Sequence, residues 1–160
     1  MNTNVDTPSP AEGIQDAVVV PSVFTTLIDS IEGNRAVAEK LTGVDRTDDA
    51  MLFDGFVADR RRFTDEIRAF AAVRGIEVDD QGSTLASLHR VWISLKDTLT
   101  GTDSDAVIRA AVTGAKYAEG QLTQALDENI SPELRTLLTD QRDAIRTTVR
   151  QMEQRVMSTT

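Results

Sequence analysis

The chain has 160 residues, of which 40% are hydrophobic, 27% charged and only 4% aromatic, with a formal net charge of −9. About 150 residues can bury roughly 68–70% of the unfolded surface, so one domain built on Leu, Ile, Val and Ala needs no staples. The absence of cysteine excludes disulfides, thiolate zinc sites and cysteine nucleophiles, and the acidic balance repels phosphate backbones, which argues against a nucleic-acid partner.

Residues 1–21 carry Pro8, Pro10 and Pro21 and no basic side chain. Low hydrophobicity with proline predicts a disordered N-terminal tail, with Val18, Val19 and Val20 as its only apolar patch. The first basic residue is Arg35, so the cationic start of a signal peptide is not expected. No stretch resembles the roughly 18 apolar residues of a membrane span. A cytoplasmic protein without membrane contact is expected.

The bundle is expected over residues 22–157. A first helix is predicted over 22–41, with Phe24, Leu27, Ile31, Ala38 and Leu41 at helical spacing. Asn34 and Arg35 break the middle of that region, and Gly43 is the expected stop. A second helix begins near Thr47 or Asp48 and ends at Gly75. Phe53, Phe56, Phe63, Ile67 and Phe70 form its stripe, with Asp59, Arg60 and Glu66 within or beside it. The short link between the two predicts antiparallel neighbours.

A polar loop over 77–84 leads to a third helix capped by Ser83 or Thr84 and ending before Gly101. Leu85, Leu88, Trp92, Leu95 and Leu99 make its seam. The fourth helix starts at Asp103 or Ser104 and ends near Asn129. Its small residues Ala111, Gly114, Ala115 and Ala118 predict close helix approach. Ser131 and Pro132 open the fifth as N-cap and first residue, with Glu133 suited to the helix N-terminus. Leu134, Leu138, Ile145, Met152 and Val156 face inward there, interrupted by Gln141 and Thr148. The expected fold is all-α: an antiparallel four-helix bundle with an additional helix in one long crossover, which is the ferritin-like connection.

The third helix supplies a recognisable pattern. Gly82-Ser83, Leu88-His89-Arg90, Trp92, Leu95-Lys96 and Thr100-Gly101 resemble the signature of a bacterial ferritin-like four-helix-bundle family, domain of unknown function number 2383. The resemblance runs over roughly residues 22–156 and takes in Phe63, Glu66, Gly114, Pro132, Leu134, Arg135 and Gln141. It implies a bacterial, stress-associated bundle without an established activity. The family often carries acidic residues around the glycine matching Gly114, where this chain has Val112 and Ala115. A family histidine corresponds to Val149, and an acidic cluster in the first helix is replaced around Arg35 and Ala36. Metal binding through those groups is therefore not expected.

A ferritin-type dimetal centre needs inward carboxylates and two Glu-x-x-His pairs, because i, i+3 spacing puts both ligands on one helix face. The only histidine is His89, three residues after Ala86, so no such pair exists. An all-oxygen substitute from Asp59, Glu66 and Glu119 would suit a hard cation, but Arg60 and Arg62 stand ready to pair with those acids. Arg61 with Asp65 and Arg62 with Glu66 have i, i+4 spacing. Arg142, Arg146 and Arg150 form a ridge at the same spacing; with His89 and Arg90 they are the candidate surface for a protein partner or a second subunit. No cofactor and no catalytic constellation is expected. The reading is a non-catalytic interaction or stress-associated protein. Its alternative is a carboxylate-based iron- or manganese-binding oxidoreductase or storage protein.

Overall fold

The computed structural model describes residues 7–81 and 103–158. Four α-helices, and no strand, occur among the described residues: α1 (Pro10–Gly43), α2 (Thr47–Arg74), α3 (Ser104–Leu126) and α4 (Pro132–Met157). The third predicted helix, with His89, Arg90 and Trp92, lies outside the described residues.

The start of α1 corrects the sequence reading. Residues 10–21 form its first turns instead of a tail. Ser9 and Glu12 make a reciprocal capping box, and Pro10 occupies the first turn, where its missing N–H costs nothing. Asp16, Val19 and Val20 are buried in the bundle. Pro21 sits inside the helix and removes one backbone donor, yet the apolar burial on both sides of it carries the helix through. Composition alone misjudged this segment because its apolar face is completed by Val23, Phe24 and Leu27 downstream.

The apolar content of α1 also amends the membrane expectation. An 18-residue window of this helix reaches a mean hydropathy of 1.3, enough by length and composition to suit a span, and 44% of that window is buried inside the protein. The same side chains supply one wall of the core.

Cross-helix contacts set the directions. Asp16 near the start of α1 accepts from the Ser131 N–H at the start of α4, so these helices run parallel. Arg46, just before α2, reaches Ser104 and Asp105 at the start of α3 at 2.8 and 3.4 Å, so α2 and α3 also run parallel. Arg74 at the end of α2 pairs with Glu133 at the start of α4, so this pair is antiparallel. The order is up, down, down, up. Only the α2–α3 connection has ends at opposite ends of the bundle.

Helix ends follow local chemistry. Asp103 caps α3 through the N–H groups of Asp105 and Ala106, and Ser131 caps α4 through Leu134. Gly75 closes α2 in the left-handed region at φ 66°. The α1–α2 turn departs from expectation: its left-handed residue is Asp45, at φ 59°, whereas Gly43 still belongs to α1. Asp tolerates that region better than most non-glycine residues. The cap of α2 also differs, since Arg46 precedes the helix without a side-chain cap bond. Ala111, Ala115 and Ala118 are buried as expected. Gly114 is half-buried with open space where a Cβ would sit, so close approach is the alanines' contribution.

Candidate functional site

The core divides into two apolar clusters. One joins Val20, Phe24, Phe63, Ile67, Leu122 and Leu134 with their neighbours. The other joins Val37, Leu41, Phe53, Phe56, Ile108 and Met152 with theirs. Between them, halfway along α2, stands Arg60, whose residue surface is 0% exposed. Among the described residues none of its three guanidinium nitrogens has a hydrogen-bond partner. The face of Phe63 lies 5.4 Å from its central carbon. Burial pushes its pKa down to about 10, opposed by the charge of Asp59, so it remains a cation at neutral pH.

Arg60 belongs to the buried stripe itself. The series 53, 56, 60, 63, 67, 70 alternates steps of three and four, the spacing of one helix face. The sequence reading put Arg60 within or beside that stripe and expected it to pair with the neighbouring acids; the structure puts it in the stripe, fully buried. Nearby, Gln141 of α4 is buried, donates its amide N–H to the Phe63 carbonyl at 3.3 Å and leaves Oε1 without a partner among the described residues. The buried hydroxyls of Thr64 and Thr148 donate to Arg61 and Ala144 carbonyls of their own helices.

The candidate metal-binding carboxylates do not share this interior. Asp59 and Glu66 lie on either side of Arg62, at 3.5 and 3.7 Å, about half exposed. Glu119 pairs with Arg146 across the α3–α4 seam, and that hydrogen bond holds the Arg146 guanidinium above its usual range. Among the described residues no group of three or more carboxylate or histidine side chains converges. The anticipated Arg61–Asp65 pair is replaced, because Asp65 binds Arg68 at 2.9 Å. Arg35 binds Glu32 near the surface.

The arginine ridge of α4 is likewise only partly open. Arg142 is mostly covered and turns to Asp143, and Arg146 is engaged by Glu119. Arg150 is exposed and makes no ion pair among the described residues. It borders a groove of about 490 Å³ between α3 and α4, lined by Arg109, Val112, Val156 and Met157 among others. His89 and Arg90 lie outside the described residues.

The fold and its interior thus define an all-helical protein with four described helices and a cation at mid-core. A family model described as Domain of unknown function (DUF2383) matches residues 20–128, well over half of the chain, and the chain belongs to that family. The match covers most of α1, all of α2 and all of α3. Pro132, Leu134, Arg135 and Gln141 in α4 lie beyond it. Comparison with curated proteins and with solved structures finds no match.

Proposed function

We propose that this chain is a non-catalytic, ferritin-like bundle that acts by binding a partner and not by turnover. The observation that carries the reading is Arg60. A ferritin-type centre is built in the bundle core from inward side chains of facing helices, and those ligands must be anionic or neutral donors. Here the middle of the core holds a buried guanidinium. Two unit charges 4 Å apart repel by about 4 kcal/mol even at an effective dielectric near 20, and a divalent ion doubles that. The ferritin-like affiliation draws support from the single long connection between parallel α2 and α3.

The partner surface in this reading is the α3–α4 face around Arg150 and Arg109. Arg150 and Arg109, the latter 3.5 Å from Asp103, stand beside Glu153 and apolar Val112, Val156 and Met157; on a chain of charge −9 the two cations suit an acidic partner, first among them a second copy of this chain. The bacterial, stress-associated role rests on the family resemblance, and the cytoplasmic location draws support from the lack of cysteine, which is compatible with a reducing cytosol. Metal analysis of the purified chain with a ferrous-oxidation assay tests the proposal against the iron- or manganese-binding alternative. Sub-stoichiometric metal and no oxidation above buffer are expected; stoichiometric metal lost on Glu66→Ala or Glu119→Ala sinks it.

A further inference from the structure

Single exposed apolar side chains are ordinary, and they gain meaning only where a matching surface exists. Among the described residues the large ones are Ile14, Val18, Met51, Val73 and Met157. Met157 belongs to the α3–α4 groove with Val112, Val156 and the exposed cation Arg150. Of the other four, Met51 alone has an exposed carboxylate one turn away on each side, Asp48 and Asp54. Positions 48, 51 and 54 step by three, so helical geometry puts them on one side of α2. Met51 is 66% exposed, and neither acid forms an ion pair among the described residues. Asp49 is buried and taken by Arg46 and Arg155, so it lends this face no free charge.

The groove carries the opposite pattern. Arg150 makes no ion pair among the described residues, and Arg109 is shared with Asp103 at 3.5 Å. The acid in the lining, Glu153, is held by Lys116 at 2.8 Å, which leaves the rim with a net positive charge. An apolar floor with a cationic rim fits an apolar tip between carboxylates. The tip leaves water, and the charges meet at the edge, where they set orientation and association rate. We propose that the groove takes the first turns of α2 from a second copy of this chain. Met51 then sits among Val112, Val156 and Met157, with Asp48 and Asp54 facing Arg109 and Arg150. This rests on the proposed partner reading and names the surface that fills the groove. Contact between two unlike patches is heterologous, so a third copy adds as the second did until a ring closes.

Sedimentation velocity of the full chain over a range of concentrations tests it. The wild-type protein should populate species larger than a dimer. Met51→Gln keeps the helix propensity and should weaken association about tenfold, the scale for losing an apolar anchor at the centre of a contact. Arg150→Glu should weaken it as much. Both side chains are exposed, so neither change disturbs the core. The two variants are then mixed at a concentration where each alone is depleted of oligomer. Arg150→Glu retains the α2 face and Met51→Gln retains the groove, so the mixture should form a one-to-one dimer and stop there. A mixture that associates no more than its components overturns the inference. Association reduced by Arg150→Glu and untouched by Met51→Gln also overturns it, and leaves the groove as a surface for another part of the partner. A wild-type protein that is monomeric at every concentration overturns it as well, and leaves the groove to a different acidic protein.

Discussion

Replacing Arg60 by methionine keeps most of the side-chain volume and removes the buried charge. Burial lowers the guanidinium from its usual range to about 10; at roughly 1.4 kcal/mol for each tenfold change in proton affinity, the charged form is disfavoured by about 3 kcal/mol. Against this, the substitution loses the contact with Phe63, worth about 1 kcal/mol. The Arg60→Met protein should therefore be more stable by about 2 kcal/mol, or roughly 4–8 °C in Tm for a chain of this length. Urea and thermal unfolding measure it. The pH dependence has a definite sign. A base whose folded pKa is depressed binds fewer protons folded than unfolded between about pH 10 and its usual pKa, so native stability rises with pH in that window. The advantage of Arg60→Met should be complete below about pH 10 and shrink above it. A loss of 3 kcal/mol or more on substitution would refute the reasoning, because that is the response of a buried charge with its partners in place.

Asp16→Ala should cost about 1–3 kcal/mol in urea unfolding, because it leaves the buried Ser131 N–H without its acceptor; no change would return residues 10–21 to the status of a tail. Gly75→Ala should cost about 1–2 kcal/mol through its left-handed backbone alone, since nothing lies where the new Cβ would sit; an unchanged denaturation midpoint would show that the turn relaxes. Arg150→Glu should lower the self-associated fraction severalfold in sedimentation velocity, and an unaltered profile would move the partner surface away from the α3–α4 groove.

The helices were legible where the chain states its own punctuation. Ser131 with Pro132, Asp103 and Gly75 all terminate elements as their side chains or backbone freedom require. The start of α1 was obscured because Pro8, Pro10 and Pro21 read as disorder, although Ser9 and Glu12 already spelled a capping box and Pro10 suits a first turn. At the candidate site, pairing of surface acids was partly readable: Arg62 does engage Glu66. Glu119 with Arg146 was not, since their meeting depends on how α3 and α4 pack, which spacing within one helix does not encode. Arg60 was readable by period, within or beside the stripe of the second helix, but its full burial was not. Position 60 continues the run of Phe56 and Phe63, but arginine is almost never fully buried without a partner, so pairing with the neighbouring acids was expected of it.

The central claim is that this bundle has a cationic middle and binds without turning over. Metal content of the purified full chain after incubation with ferrous iron or manganese, with ferrous oxidation followed in parallel, tests it most directly. The account predicts metal well below one ion per chain and oxidation at the buffer rate. One or two ions per chain, lost on substituting Glu66 or Glu119 and retained when Arg60 is replaced, would contradict it.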